Sequence, residues 1–194
     1  RARRRGLPCP ALGLVLHDTV AALLAGCTAM GFAPDTSYVG FILGTGTNTA
    51  YIERNAAIRK ETGLPEGGMA INCEAANFNR IRRGDIDLAF DADTALPGKY
   101  VLEKMISGAY LGGLCHRILK TAAQEGVLGT VTGRDLEARK PLVPQELGAL
   151  LAAAPVEADA GTAAVLYACW PDADQSAARE IVSAVVERAA LITA

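Results

Sequence analysis

The stretch Tyr38-Val39-Gly40-Phe41-Ile42-Leu43-Gly44-Thr45-Gly46-Thr47-Asn48-Thr49-Ala50-Tyr51-Ile52 decides the fold. Two apolar runs, each short enough for a strand, flank the tight turn Gly44-Thr45-Gly46-Thr47-Asn48. The pattern predicts a hairpin, with a buried strand over 38–43 and its continuation over 50–52. Upstream, the run 11–16 (Ala-Leu-Gly-Leu-Val-Leu) reads as another short buried strand, ending at His17-Asp18. Asp18, a favoured N-cap residue, opens a helix on which Val20, Leu23, Leu24 and Cys27 recur at helical spacing, and Gly31 and Pro34 end it.

Downstream, Pro65-Glu66-Gly67-Gly68 breaks the chain and 69–73 reads as a further strand. Residues 79–97 are polar, with Asp85, Asp87, Asp91 and Asp93. The Gly and closing Glu of an EF-hand are missing, so a solvated loop is expected, not a calcium site. Pro97-Gly98 precedes a helical stretch over 101–124 with the stripe Leu111, Leu114, Cys115 and Ile118. Gly108, Gly112 and Gly113 predict either two helices or one packed closely on a neighbour. A connection of limited order follows over 126–143, then a short helix over 144–153 stopped by Pro155. The last helix is the plainest: Ala178, Ile181, Val182, Val185, Ala189 and Ile192 share one face, and Pro171, Asp172 and Gln175 supply start signals. Hairpin strands first and helices afterwards predict a mixed α/β domain, not an all-parallel Rossmann sheet.

Composition narrows the function classes. With 194 residues, 51% hydrophobic and 21% charged, and a net charge of -2, the chain has enough apolar material for one substantial core. A disordered tail and a polybasic nucleic-acid module are both excluded. The one basic run, Arg1, Arg3, Arg4 and Arg5, reads as an exposed helix end. The apolar run after it is too short for a signal peptide, and no run approaches the roughly 20 residues of a membrane span. Five cysteines without CxxC spacing point to free thiols in a reducing cytoplasm. Cys115 and His116 adjoin but point apart on a helix, so a packed Cys beside a surface His is expected in place of zinc. The absence of a starting Met and the apolar helical pattern at the end make both ends read as truncated.

Four places could carry chemistry. In the Gly44–Asn48 turn, two glycines let a ligand approach the backbone, and Thr hydroxyls with exposed N–H groups suit phosphate oxygens. It lacks the Gly-Lys-Ser/Thr of a Walker A loop and the third glycine of a dinucleotide fingerprint, so a plain hairpin turn explains it equally well. Asp18 lies where strand meets helix, a usual place for ligand contacts, though an N-cap role suffices. Glu74 follows the apolar Ile71-Asn72-Cys73 and could be no more than a solvent-facing strand end. Glu103 could be a first-turn acid favoured by the helix dipole.

Taken in order, these residues resemble the hexokinase family. Leu16-His17-Asp18-Thr19-Val20 is similar to that family's Asn-Asp-Thr-Val motif. Leu43-Gly44-Thr45-Gly46-Thr47-Asn48 with Tyr51-Ile52-Glu53 resembles its Gly-Thr-Gly-x-Asn hairpin, and Ile71-Asn72-Cys73-Glu74 its Asn-Thr-Glu strand end. The segment 97–112, with Leu102-Glu103-Lys104-Met105-Ile106-Ser107-Gly108, is similar to its longest helical signature, and Glu187-Arg188-Ala189-Ala190 to its late Arg-Ala-Ala helix. The resemblance implies an actin-like (ribonuclease H-like) α/β fold with a mixed sheet and flanking helices, residues 1–194 being a large-domain fragment. It implies phosphoryl transfer from MgATP to the 6-hydroxyl of a hexose, glucose first, with two lobes closing over the sugar. Asp18 would be the catalytic base; His17, Asn48, Glu74 and Glu103 would face the sugar; Thr45, with Gly44 and Gly46, would meet the nucleotide phosphates. No protein metal ligand is assigned, and neither a membrane nor a nucleic acid is an expected partner.

The chain departs from the family pattern in three ways. His17 stands where the family has Asn, which implies a shifted sugar preference. Ala75-Ala76-Asn77-Phe78-Asn79 replaces Trp-Gly-Ala-Phe-Gly, which changes the pocket wall. The Asp-Leu-Gly-Gly-Thr phosphate loop, the small-lobe sugar segment with its Lys and the adenosine loop beyond Ala194 are missing, so this chain alone is expected to show no useful turnover. A non-catalytic, hexokinase-like sugar-binding regulator is the alternative, and the retained Asp18 speaks against it.

Overall fold

The computed structural model describes residues 15–31, 36–152 and 169–194. Cys9, Pro34, Pro155, the basic run and the first four residues of the 11–16 run lie outside them. The chain divides into two compact units: Arg1–Phe41 with Thr49–Cys73, and Ile42–Asn48 with Glu74–Ala194. The boundary falls within the first two strands, β1 (Val39–Leu43) and β2 (Thr47–Arg54). With β3 (Gly68–Asn72) they form a three-stranded sheet in the order β1-β2-β3. β2 and β3 are antiparallel, registered from Ala50 opposite Asn72 to Arg54 opposite Gly68. The connection over 44–46 is far too short for a parallel crossover, so β1 and β2 form the expected hairpin, with Gly44 N–H donating to Gly46 O at 2.9 Å.

The first unit is light. Its helix α1 (Asp18–Met30) buries Thr19, Leu23 and Cys27, one stripe at four-residue spacing. Leu23, Cys27 and Ala50 form its buried core, flanked by Val20, Tyr38 and Ala70. Gly40 permits that packing, because a Cβ there would lie 2.8 Å from both Leu23 Cβ and Thr19 O. β1 is less buried than its apolar run predicts, since Val39, Phe41 and Leu43 are all exposed. Val15 and Leu16, the described end of the 11–16 run, are exposed and outside any strand.

The second unit is helical: α2 (Asp85–Ala92), α3 (Val101–Ile106), α4 (Gly108–Gln124), α5 (Thr130–Ala138), α6 (Pro144–Ala152) and α7 (Asp172–Thr193). Its main core gathers Cys115, Leu119, Leu128, Leu136, Leu142, Leu147, Leu150, Trp170, Ala178 and Val182, and each fully buried large side chain contributes about 1.5–3 kcal/mol. The 101–124 stretch splits into two helices at Ser107, which is extended (ψ 156°). Gly112 brings α4 against backbone, because a Cβ there would fall 2.0 Å from Leu142 O.

Two expected loops are helices. α2 lies within 79–97, and its Asp87 and Asp91 are buried rather than solvated, because each is paired. Asp87 takes a two-pronged contact from Arg188, at 3.0 and 2.9 Å, and Asp91 accepts from Lys104. α5 lies within 126–143; Asp174, far along the chain, caps its start by accepting from Gly129 N–H at 2.9 Å and Thr132 Oγ1 at 2.5 Å. His116 is buried and not at the surface, while Cys115 is buried as expected. Among the described residues no helix is long and apolar enough to cross a membrane.

Candidate active site

Three segments of the second unit meet through a ring of hydrogen bonds. Thr47 N–H donates to Glu103 Oε2 at 3.0 Å, across 56 residues of sequence. Ala75 N–H donates to Asn48 Oδ1 at 3.0 Å. Tyr100 N–H donates to Asn77 Oδ1 at 3.3 Å, and Leu102 N–H to Phe78 O at 3.1 Å. The hairpin turn, the segment after β3 and the start of α3 thus hold one another, and with them Asn48, Glu74 and Glu103. Asn48 is buried and its oxygen is committed to Ala75. Glu103 is half-buried, and its carboxylate reaches Thr47 only because Gly46 has no side chain: a Cβ there would lie 2.7 Å from Oε2.

Glu74 is exposed and left-handed (φ 51°), as is Tyr100 at the start of α3 (φ 54°). Such a conformation costs a non-glycine residue about 1 kcal/mol or more and persists where neighbours fix it. Here the bond from Ala75 N–H to Asn48 fixes the backbone just after Glu74.

The Gly-rich turn has one exposed, donor-rich side. Gly108 N–H, at the start of α4, donates to Gly44 O at 2.8 Å, and Ala109 N–H to Thr45 O at 3.1 Å. The turn's carbonyls thereby satisfy a helix N-terminus that has no side-chain cap. Among the described residues, the Thr45 N–H, the Thr45 hydroxyl and the Gly46 N–H have no protein partner. That donor set suits a phosphate.

His17 and Asp18 belong to the first unit. His17 caps α1 and Asp18 is its first helical residue, one step inside the N-cap position expected for it. Asp18 Oδ1 accepts from Thr19 N–H at 2.7 Å and from Thr19 Oγ1 at 3.2 Å. His17 Nδ1 lies 2.8 Å from the same oxygen and 3.4 Å from Thr19 N. The Thr19 N–H is shared between the Asp18 carboxylate and His17 Nδ1, which accepts it weakly and so caps the helix. An Asn at that position would offer its side-chain oxygen to the same N–H, so His17 can replace it in this respect. The Asp18 side chain is 72% exposed.

Sequence reasoning missed what holds Glu103. Its neighbour Lys104 is buried, donating to Asp91 Oδ1 at 2.5 Å and to Leu96 O at 2.6 Å. Asp91 Oδ2 accepts from Gly98 N–H at 2.9 Å and Arg83 Nη1 at 3.1 Å. Burial alone would raise the Asp91 pKa, but the hydrogen bonds from Lys104 and Gly98 and the charges of Lys104 and Arg83 outweigh it and hold the carboxyl below its usual range. The only signal in the sequence is an acid thirteen residues before a lysine, too far apart to read as a pair. Among the described residues no three His, Cys, Asp or Glu side chains gather as a metal cage.

A family model described as "Hexokinase" matches residues 38–194. The chain is similar to Hexokinase-5 of Oryza sativa subsp. japonica, 40% identical over 139 residues, covering 69% of this chain and 26% of the relative. It is likewise similar to Hexokinase-2 of Arabidopsis thaliana, 43% identical over 115 residues, or 57% of this chain and 22% of the relative. The matched region thus spans about a quarter of these relatives. A solved hexokinase from Schistosoma mansoni, complexed with glucose, matches 98% of this chain and 44% of its own at a TM-score of 0.75 and 29% identity. A second crystal structure of hexokinase matches 99% of this chain and 41% of its own, at a TM-score of 0.69 and 27% identity.

Proposed function

The chain belongs to the hexokinase family, and from that premise we propose that the enzyme it contributes to transfers the terminal phosphoryl group of MgATP to the 6-hydroxyl of a hexose. Its fold is the actin-like α/β fold of the hexokinases it resembles. Glucose is the first candidate substrate, because the Schistosoma mansoni protein was solved with it.

The observation that carries this reading is the pair of bonds from Thr47 N–H to Glu103 and from Ala75 N–H to Asn48. They tie together three segments, distant in sequence, that hold the residues assigned to the sugar. Carboxylates and amides suit a ring of hydroxyls, which need both donors and acceptors. Asp18 is assigned the proton of the attacking hydroxyl, and its exposed side chain at the start of α1 leaves the carboxylate accessible for that role. The partner-free donors at Thr45 and Gly46 fit nucleotide phosphates, which glycines at 44 and 46 let approach. Mg²⁺ bound with the nucleotide would supply charge neutralisation at those phosphates. The unpaired described cysteines fit a reducing compartment, and the cytoplasm is proposed on that ground.

The test is glucose-dependent ADP release from MgATP by the intact enzyme beside Asp18→Ala and Glu103→Gln. Asp18→Ala should lower kcat by about 10²–10⁴-fold. Glu103→Gln, which keeps an acceptor for Thr47 N–H, should raise the KM for the sugar. Turnover that survives Asp18→Ala would refute the assignment of the base. Glucose binding without turnover in the wild type would make the protein a sugar-binding regulator.

A further inference from the structure

Helix α4 carries a second stripe besides its core-facing one. Gly113, Arg117, Lys120 and Gln124 follow one another at alternating four- and three-residue steps, and His116 lies beside them. All five line a cleft of about 420 Å³, walled by Phe90 and Pro141 and joined by Asp93. That size falls in the range of about 300–1,000 Å³ usual for small-molecule sites. None of these residues takes part in the hydrogen-bond ring around Glu103.

We propose that this cleft binds a small polyvalent anion, a pyrophosphate or phosphate-monoester group, through Arg117, Lys120 and His116. His116 is 7% exposed, and its Nδ1 is sealed in without any hydrogen-bond partner. A buried N–H left without an acceptor is rarer and costlier than a buried acceptor left bare, so the ring proton belongs on Nε2. Nε2 is neither sealed nor bonded to protein, and the ring lines the cleft, so the donor Nε2–H faces it. Burial, then the charges of Lys120 and Arg139, hold the imidazole pKa below its ordinary value against the opposing pull of Glu137 and Asp135. The ring is therefore a neutral donor near pH 7.

Both cations have partners in the protein: Arg117 Nη1 meets Asp93 Oδ2, and Lys120 Nζ lies 2.6 Å from Glu137 Oε2. All four side chains are between 32% and 67% exposed, and ion pairs so exposed hold weakly. A doubly charged phosphate, offering more acceptor oxygens than one carboxylate, can take both cations at once. Glu137 lines a neighbouring cleft that shares Lys120 and Gln124, so Lys120 borders both. Donors outnumber the single acid, Asp93, and that balance selects an anion over a metal or an amine.

The chain has only two histidines, His17 and His116, which makes the test direct. Sodium pyrophosphate is titrated into the 194-residue chain while the imidazole ¹H NMR signals are followed, with NaCl matched in ionic strength and His116→Asn to assign the resonance. The His116 signal should move and saturate, with a Kd of about 1 mM or tighter, while His17 stays. Arg117→Ala and Lys120→Ala should each weaken binding at least about tenfold, with an unchanged far-UV CD spectrum. Methyl phosphate that saturates the same signal would identify a monoester site, whereas saturation by pyrophosphate alone would identify a diphosphate site. An unsaturated drift equal to that in NaCl, saturation unaffected by both variants, or equally tight binding of citrate would each overturn the proposal.

Discussion

Asp18 and Glu103 are both acids in the first turn of a helix, one in each unit, and they are held by opposite means. All the contacts named for Asp18 come from its chain neighbours, His17 and Thr19, and its side chain is 72% exposed. Glu103 reaches across 56 residues to Thr47, and the residue beside it is buried on Asp91. The material behind them differs in the same sense. Leu23, Cys27 and Ala50 back α1, whereas helices α4 to α7 enclose a far larger cluster. The difference teaches that an acid fixed by local geometry tolerates changes in packing, while one fixed by tertiary contacts inherits every weakness of the network around it.

The largest effect should come from breaking that network. Lys104→Met leaves the Asp91 carboxylate buried without its main partner, and removing one member of a buried pair costs about 3–5 kcal/mol. Asp18→Ala, by contrast, removes a helix-start acid worth about 0.3–1 kcal/mol. Urea unfolding of both variants measures the contrast, and equal losses would erase it. Acid adds a second readout. The folded Asp91 pKa lies below the ordinary 3.8, so its stabilising contribution is complete above that pH and disappears as pH falls through the folded value. The wild type should lose stability in that window, and Lys104→Met should lose less there because most of the contribution is already gone.

Gly46→Ala should follow, at about 1–3 kcal/mol, since its Cβ must displace the Glu103 carboxylate or the turn itself. Gly44→Ala, with open space where its Cβ would lie, serves as the control in the same unfolding experiment. A Gly46→Ala protein as stable as that control would mean that Glu103 yields easily and is less firmly fixed than the ring of bonds implies.

The same contrast explains what could be read from sequence. The hairpin, α1, α6 and α7 were legible because their apolar residues keep a local period. α2 was not, because its inward residues include Asp87 and Asp91, and a charge reads as solvated until its partner is known. α5 was not, because its cap is Asp174 and its buried stripe is only Thr132 and Leu136. In the candidate site, the residue types of Asn48, Glu74 and Glu103 were legible as a family resemblance. The bonds that join their segments were not, since three of the four use a backbone N–H group with a side-chain acceptor, and such bonds leave no mark on hydropathy. Lys104 was passed over for a related reason: a lysine beside an acid in a first turn resembles an ordinary surface pair until burial is known.

The smallest effect concerns no loss of stability at all. Cys27 and Cys115 are both fully buried, one in the three-residue core behind α1 and the other in the large helical cluster. A buried thiol reacts only when its surroundings open, so its labelling rate reports the free energy of local opening. Thin cores open more readily, so Cys27 should be alkylated faster than Cys115 under native conditions, with exposed Cys73 and Cys169 faster than either. Burial also pushes the Cys115 thiol up to about 12, against the opposing charge of Arg188, so almost no thiolate exists while the cluster stays closed. Peptide-resolved mass spectrometry after timed iodoacetamide exposure separates the sites. Equal rates at Cys27 and Cys115 would mean that both report one global opening, and the lightness of the core behind Asp18 would then have no dynamic consequence.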